Sequence, residues 1–378
     1  MTASLTPPIR MDSAPVPVNS LTRHIAPLRE RLAAVADEVI ASGHFVLGLG
    51  VETFEQAFAD YCGVAHCIGV GNGTDALELA AKAIGVVPGD RVAVTANAAM
   101  YATSAVLACG AQPVFVDVRE DATIDVDALS KALVADAGIC AVVVTHLFGR
   151  LSDVAALATL CDAHGLAMIE DCAQAHGARD ASGRRAGAFA DVAAFSFYPT
   201  KNLGALGDGG AVVTRDAGIA ARVRGLRQYG WERKYVNTLT GGRNSRLDEL
   251  QARALSLMLP LLDAWNTRRR TIANRYSREI THLDITVPAV ASDDYVAHLY
   301  VVRSHRRDAL RAHLADAGVQ TDIHYPLPDH RQPCHAGRYA GIHLPVTERH
   351  AATSLTLPCF PELSDAEAGI VIATCNRF

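Results

Sequence analysis

Long apolar runs are missing from this sequence. No stretch of about 18 apolar residues is free of charged or turn-forming residues, so no bilayer-spanning segment is predicted. A basic surplus is also missing, because 35 Lys and Arg face 40 Asp and Glu and the formal net charge is −5. This balance does not favour a nucleic-acid binder. We therefore expect neither a membrane nor a nucleic acid among the partners.

We expect neither disulfide-paired cysteines nor a secretory leader. The nine cysteines are odd in number and scattered, with no C-x-x-C pair, which predicts free thiols in a reducing compartment. Residues 1–20 carry several prolines and no apolar core, so they do not resemble a secretory signal. We expect residues 1–20 to be a mobile tail and the protein to be cytoplasmic.

The rest of the chain has the composition of a folded protein with a large core, since 50% of its residues are hydrophobic and 20% charged. Between about residues 65 and 215, short apolar runs alternate with helical patterns of roughly ten residues. This alternation predicts an α/β fold with a mostly parallel seven-stranded sheet and helices on both faces. Runs such as VVVTH are apolar throughout, as in strands covered on both sides.

The same patterns divide the chain. We predict a large α/β domain over 21–245 and a long connecting helix over 246–276, which Pro260 should kink. A smaller α+β domain should follow over 277–378, where the strands are shorter and polar loops more frequent.

Three segments place polar groups at strand ends, where open α/β sheets bind their ligands. The first is GVGNGTDALELA, in which a glycine-rich turn leads from a strand into a helix that Thr74 should cap. Gly71 and Gly73 would let the backbone approach a phosphate at the helix start. A simple strand-to-helix turn explains the segment equally well, and Thr74 stands where G-x-G-x-x-G requires its last glycine.

The second segment, MIEDCAQAHGA, ends an apolar strand in the adjacent carboxylates Glu170 and Asp171. Asp171 fits a partner for a cationic ring nitrogen or a metal ligand, and equally a helix cap or salt-bridge partner. His176 in this segment is expected to be structural.

The third segment, AFSFYPTKNLGALGDGGAVV, presents Lys201 after a strand end. A lysine among apolar and glycine residues can have a lowered pKa and react with carbonyl groups. An ordinary surface lysine is the alternative. Taken together, the three segments offer a phosphate site, a carboxylate and an amine. These match the phosphate, the pyridine nitrogen and the aldehyde of pyridoxal 5′-phosphate.

These segments resemble the DegT/StrS-type sugar aminotransferases, a branch of the fold-type I enzymes that use pyridoxal phosphate. The matching stretches occur in family order from about residue 24, and they are GNGTDAL, GAQPVFVDV, EDCAQAHGA, FSFYPTKNLGALGDGGAV, GGRNSRLDELQA and IHYPLP. The resemblance implies that Lys201 is the Schiff-base lysine and Asp171 the partner of the pyridinium nitrogen. No metal is expected.

The resemblance also implies the remaining cofactor contacts. Gln174 is similar to the residue beside the cofactor ring, while Gly73 and Thr74 resemble the phosphate-binding turn. Ser196 should add a hydroxyl to that turn. Asn244 resembles the residue that reaches the cofactor of the partner subunit, which implies a homodimer with shared sites.

One stretch departs from the family pattern. The family usually places an aromatic residue over the cofactor ring, but in TANAAMYAT that place falls on Ala99. Met100 or Tyr101 would then stack on the ring after a local shift, and we predict Tyr101. For the substrate we predict Arg243, as one of several arginines at the mouth of the site, together with His324 and Tyr325 of the IHYP segment.

The implied reaction transfers an amino group from L-glutamate to a nucleotide-linked 3-keto or 4-keto 6-deoxyhexose. Three alternatives stand beside it. A nicotinamide-dependent sugar oxidoreductase would explain the glycine turn, although the next strand ends in Thr95-Ala96-Asn97 without the acidic residue that such enzymes carry. A regulatory homologue would not need both Lys201 and Asp171. Family dehydratases carry histidine where this chain has Lys201.

Overall fold

A twisted seven-stranded sheet forms the centre of the protein. The computed structural model describes residues 15–378, and its sheet order is β1-β7-β6-β5-β4-β2-β3. All neighbours pair in parallel except β7, which is antiparallel to both β1 and β6. The predicted α/β class with a mostly parallel seven-stranded sheet is therefore confirmed. The strands are β1 His66–Val70, β2 Arg91–Thr95, β3 Gln112–Val116, β4 Ile139–Thr145, β5 Ala167–Asp171, β6 Val192–Ser196 and β7 Gly210–Thr214.

Helices cover both faces of this sheet, which explains the continuous apolar runs. In β4, Val142 and Val144 belong to one apolar cluster, whereas Ala141 and Val143 belong to the cluster on the opposite face. Alternate side chains of a strand point to opposite faces, so a strand covered on both sides needs apolar residues at every position. The helices before and within this layer are α1 Leu21–Ile25, α2 Arg29–Ser42, α3 Leu49–Cys62, α4 Gly73–Ala83, α5 Tyr101–Ala108, α6 Val126–Ala135, α7 Val154–His164 and α8 Ala217–Leu226.

A broken helix connects the sheet layer to the C-terminal part of the chain. After the small hairpin of β8 (Trp231–Arg233) and β9 (Val236–Asn237), α9 spans Glu249–Met258 and α10 spans Leu262–Glu279. Between them lies a 3₁₀ turn that contains Pro260. Proline lacks the N–H that would continue an α-helix, so the break falls at the residue where the sequence predicts it.

The C-terminal part has its own apolar cluster, formed by Tyr276 and its neighbours on α10 with residues from the following elements. Those elements are β10 Tyr300–Arg303, α11 Arg307–Asp316, α12 Pro345–Thr353, β11 Ser354–Leu357 and α13 Asp365–Cys375, with β10 and β11 antiparallel. None of the helices within residues 15–378 is long and apolar enough to span a bilayer.

The expected N-terminal tail falls mostly on residues 1–14, which lie outside the described residues. Val16 packs into the apolar cluster of the small C-terminal part. Val16 is 2% exposed, and its backbone exchanges hydrogen bonds with Gly318 and Gln320 at 2.9 Å each. The part of the expected tail that the structure describes therefore buries an apolar side chain and pairs its backbone, while the predicted boundary at residue 20 stays a prediction.

Candidate active site

A cavity of about 470 Å³ lies at the carboxyl ends of β4, β5 and β6, between the sheet and the small C-terminal part. Three segments singled out in the sequence converge on it. Nine of the predicted cofactor and substrate residues line this cavity, namely Gly73, Thr74, Tyr101, Asp171, Gln174, Ser196, Lys201, His324 and Tyr325. The convergence follows from the sheet, since parallel strands end at the same edge.

The start of α4 forms one wall of the cavity. The helix begins at Gly73, and its N-cap is Asn72, whose side chain accepts a hydrogen bond from the Asp75 N–H at 2.8 Å. The prediction of Thr74 as the cap is therefore wrong by two residues. Within residues 15–378 the N–H groups of Gly73 and Thr74 have no hydrogen-bond acceptor. These two donors and the helix dipole suit a phosphate.

Gly73 also lets α4 start unusually close to the end of β6. A Cβ atom built at this position would lie only 2.6 Å from Cβ of Ser196. Real Cβ atoms do not approach so closely, so only glycine fits here. The absence of a side chain leaves the N–H groups and the Ser196 hydroxyl accessible together on one side of the cavity.

The adjacent carboxylates of β5 have different functions because they point to opposite faces of the sheet. Glu170 is fully buried and accepts hydrogen bonds from the N–H groups of Gly187, Phe189 and Ala190 at 2.7–2.9 Å, with His146 Nε2 at 3.0 Å. Burial alone would raise the pKa of Glu170, but His146 and the N–H donors outweigh it and hold the pKa below its usual value. This carboxylate serves the fold.

Asp171 faces the cavity. It accepts hydrogen bonds from the Ala173 N–H at 3.1 Å and from the Thr145 hydroxyl at 3.3 Å, and these fix the orientation of the carboxylate. Burial raises the pKa of Asp171, while the Ala173 N–H and the charge of Lys201 act in the opposite direction.

Lys201 projects into the same cavity from the turn after β6, where its N–H binds the Tyr198 carbonyl at 2.8 Å. Burial lowers the pKa of its amine to about 8, against the opposing effect of the Asp171 charge. Within residues 15–378 its Nζ has no hydrogen bond and no carboxylate within 4.0 Å. The amine is therefore partly neutral near pH 7 and free to react.

Gln174 joins the large domain to the IHYP loop. Its amide nitrogen donates to the Tyr325 hydroxyl at 3.0 Å, and its amide oxygen accepts from the Phe148 N–H at 2.6 Å. His324, beside Tyr325, has its Nδ1 2.7 Å from the Thr356 hydroxyl. The loop is thus anchored on both sides of the cavity.

The stretch before α5 shows which of its residues reaches the cavity. Ala99 and Met100 both have left-handed backbone conformations, with φ of 59° and 67°. This turn places Tyr101 on the cavity wall, half exposed, whereas Ala99 and Met100 are not on that wall. The location is the one that the prediction of Tyr101 as the stacking residue requires.

Two predicted residues lie outside the cavity. Arg243 forms ion pairs with Glu78 at 2.5 Å and Asp75 at 3.1 Å on α4. Its predicted contact with the substrate stays a prediction. Asn244 is exposed beside it and does not line the cavity of its own chain. The predicted contact of Asn244 with a partner subunit's cofactor stays a prediction.

Several cavity residues had not been singled out from the sequence. His298, Asp322 and Thr356 come from the small C-terminal part, and Asn19 comes from the segment before α1. None of them belongs to a strand-end motif of the sheet, so the sequence offers no local signal for them.

The comparison with known proteins decides between the remaining alternatives. Residues 27–376 match the DegT/DnrJ/EryC1/StrS aminotransferase family. The chain belongs to this family. A Streptomyces venezuelae relative named dTDP-3-amino-3,4,6-trideoxy-alpha-D-glucose transaminase is 45% identical over 367 residues, which cover 96% of each chain.

Solved structures agree with this assignment. The crystal structure of S. venezuelae DesV with a ketimine intermediate has a TM-score of 0.92 and 44% identity, and the match covers 97% of this chain and 98% of DesV. Bacillus subtilis NtdA with bound cofactor PMP has a TM-score of 0.91 and 29% identity, covering 97% and 86% of the two chains.

The protein is therefore an aminotransferase that uses pyridoxal 5′-phosphate, and not a nicotinamide-dependent oxidoreductase, a dehydratase or a regulatory homologue. The cavity fits this cofactor on its own evidence. It combines free N–H groups at a helix start, a close approach that only Gly73 allows, a buried carboxylate at Asp171 and a lysine amine of lowered pKa.

Proposed function

We propose that this aminotransferase transfers the amino group of L-glutamate to a dTDP-linked 3-keto-6-deoxyhexose and so produces a 3-amino sugar. The observation that carries the proposal is the placement of Lys201 and Asp171 in one cavity, beside the phosphate-binding start of α4. The choice of dTDP and of carbon 3 is supported by the relative that is 45% identical, whose name states both.

Lys201 is the proposed catalytic base and acid. When bound, pyridoxal 5′-phosphate supplies an aldehyde carbon that condenses with amines and a ring that withdraws electrons from them. With a pKa of about 8, Nζ of Lys201 can take up a proton and return it at neutral pH. We infer that it moves the proton between the substrate carbon and the cofactor.

Asp171 has the complementary role in this proposal. Its carboxylate would hold a proton on the ring nitrogen, because a buried anion stabilises a cation beside it. The hydrogen bonds from Ala173 and Thr145 keep the carboxylate in place for this task. Gln174 and Tyr101 are proposed to contact the ring, while Gly73, Thr74 and Ser196 would bind the phosphate.

The wall formed by the small C-terminal part is proposed to hold the sugar. His324 and Tyr325 line this part of the cavity. A cavity of about 470 Å³ is in the range of small-molecule sites, which supports a ligand larger than the cofactor alone.

We further propose a homodimer in the cytoplasm. Large apolar side chains are exposed on the surface, among them Leu49 at 70% and Tyr235 at 77%, and Asn244 is exposed as well. Such exposure supports an interface with a second copy. All nine cysteines are free thiols, which supports a reducing compartment.

The test is to incubate the purified protein with pyridoxal 5′-phosphate, L-glutamate and a panel of nucleotide-linked 3-keto and 4-keto sugars, with products identified by mass spectrometry and NMR. We expect a 3-amino sugar from a dTDP-linked substrate and no product from the Lys201→Ala variant. Binding of the cofactor without amino transfer to any keto sugar would refute the proposal.

A further inference from the structure

A buried chain of hydrogen bonds lies behind the cavity wall and ends at His298. Asn266 on α10 donates from Nδ2 to the His176 carbonyl at 2.7 Å. Asn202 donates from Nδ2 to Asn266 Oδ1 at 2.8 Å and to the Val296 carbonyl at 3.2 Å. Nδ1 of His298 lies 3.0 Å from Asn202 Oδ1. All three linked side chains are buried.

The backbone carbonyls in this series of hydrogen bonds determine the direction of each bond. A carbonyl only accepts, so the atoms facing His176 and Val296 must be the NH₂ groups of Asn266 and Asn202. The remaining amide atom of Asn202 is then its oxygen, which also only accepts. Nδ1 of His298 must therefore carry a hydrogen and donate it to Asn202.

The backbone around His298 is held as firmly as its ring. Arg269 donates from Nη1 to the carbonyls of Ala297 and His298 at 3.4 and 3.2 Å. On the other side, the Leu299 N–H binds the Phe148 carbonyl at 3.3 Å. A side chain fixed in this way is preorganised for binding.

The other ring nitrogen of His298 is left as an acceptor. Burial, together with the positive charges of Lys201 and Arg269, lowers the pKa of His298 well below its usual value, so the ring is neutral at pH 7. With the hydrogen on Nδ1, Nε2 carries a free lone pair. His298 lines the cavity, and within residues 15–378 Nε2 has no hydrogen-bond partner.

We propose that Nε2 of His298 accepts a hydrogen bond from a hydroxyl group of the bound sugar, which makes His298 a specificity-determining residue. The inference rests on the proposed function. The phosphate and oxygen atoms of the cofactor are acceptors, and its ring N–H faces Asp171 in the proposed arrangement. Glutamate offers carboxylates, which accept, and an amino group that must face the reacting carbon. The thymine N–H and the deoxyribose hydroxyl of the nucleotide lie beyond the diphosphate, whereas His298 is near enough to Lys201 for the lysine charge to lower its pKa. The hydroxyls of the hexose are the donors that remain.

The tautomer is tested directly on the holoenzyme labelled with ¹⁵N-histidine. His298→Asn assigns the signals by their disappearance. We expect a protonated Nδ1 and an unprotonated Nε2, and a shift of the Nε2 signal when dTDP-3-amino-3,4,6-trideoxy-D-glucose is added. A hydrogen on Nε2 would overturn the inference.

Binding tests the contact itself. His298→Asn keeps an N–H near the position of Nδ1, so the bond to Asn202 can persist while the Nε2 acceptor is lost. Calorimetry uses the pyridoxamine phosphate form, which does not react with amino sugars. The probes are dTDP-3-amino-3,4,6-trideoxy-D-glucose and its counterpart that retains the C4 hydroxyl. We expect the variant to bind one or both about 3- to 10-fold more weakly.

The pattern of losses identifies the hydroxyl. Weaker binding of both probes assigns a hydroxyl that they share, and weaker binding of only the second probe assigns the C4 hydroxyl. His305 is exposed, so the His305→Asn variant is the matched control and should bind both probes like the wild type. Equal binding by His298→Asn and wild type would overturn this inference alone, whereas failure of the wild type to bind either probe would overturn the proposed function as well.

Discussion

The close approach at Gly73 makes a sharp prediction for Gly73→Ala. The new Cβ would lie 2.6 Å from Cβ of Ser196, 3.1 Å from its Cα and 3.2 Å from its Oγ. Ordinary van der Waals contact begins near 3.4 Å, so the start of α4 and the end of β6 must separate by about 0.8 Å, the difference between 3.4 and 2.6 Å.

The separation should cost both stability and cofactor affinity. Overpacking of a tight contact costs about 1–3 kcal/mol. Alanine gains at most about 1 kcal/mol of helix propensity, and less at the first position of a helix, so the clash should dominate. The same movement displaces the N–H groups of Gly73 and Thr74. Because a hydrogen bond to a charged group contributes about 1.5–3 kcal/mol, we expect the Kd of the cofactor to rise at least about tenfold.

Urea unfolding of the cofactor-free protein and absorbance titration with pyridoxal 5′-phosphate measure the two effects. Gly341→Ala is the matched control, because no atom lies within 4 Å of its added Cβ and its backbone does not require glycine. The double variant Gly73→Ala/Ser196→Gly removes the clashing Cβ and should regain most of the lost stability. Wild-type stability and cofactor affinity in Gly73→Ala would refute the reasoning.

Three further predictions concern the carboxylates and the lysine. With a pKa of about 8 for Lys201, stopped-flow cofactor capture should accelerate about fivefold from pH 7 to 8 and less than twofold from pH 8 to 9, whereas an unshifted lysine gives about tenfold in each step. Asp171→Asn removes a charge that raises the pKa of Lys201, so the midpoint of this pH series should move downward. Glu170→Gln should lower the free energy of unfolding in urea by about 3 kcal/mol at pH 7. Since the folded pKa of Glu170 is depressed, its contribution is present above its unfolded pKa, and the deficit of the variant should shrink as pH falls through the folded pKa.

The sheet and its ligand-binding edge were predictable because both depend on local patterns. Apolar runs alternating with helical patterns require a parallel sheet covered on both faces, and β4 contributes to clusters on both sides. Lys201 and Asp171 follow strand ends, so the topology brings them to one edge without any knowledge of side-chain packing.

Which of Glu170 and Asp171 faces the cavity was harder to predict from the sequence. Adjacent strand residues point to opposite faces, so one of the two had to leave the cavity. Which one leaves is set by the phase of β5 in the sheet, and by the three N–H donors of the loop over 187–190 that surround Glu170. That loop follows β5 at a distance the strand-end motif does not cover. The motif made Asp171 a candidate, and the resemblance to a family gave it the role of ring-nitrogen partner.

The cap of α4 and the ion pairs of Arg243 were missed for a similar reason. Asn72 and Thr74 are both good N-cap residues, and the tight packing of Gly73 on Ser196 starts the helix at the earlier position. Arg243 lies in a basic segment that suits a substrate phosphate. The acidic residues of α4 take up its guanidinium instead, a pairing between segments about 165 residues apart.

The two walls of the cavity differ in how their residues are distributed along the sequence. The cofactor side is built from local motifs at strand ends, whereas the side that we propose holds the sugar is assembled from Asn19, His298, Asp322 and Thr356, which are far apart in the chain. Residues that bind the invariant cofactor must satisfy one fixed geometry, but residues on the opposite wall need only match the substrate. Substitutions at Asp322 should therefore change which sugar is bound while cofactor affinity stays near that of the wild type. If Asp322 variants lost as much cofactor affinity as variants of the cofactor side, the two walls would not act independently.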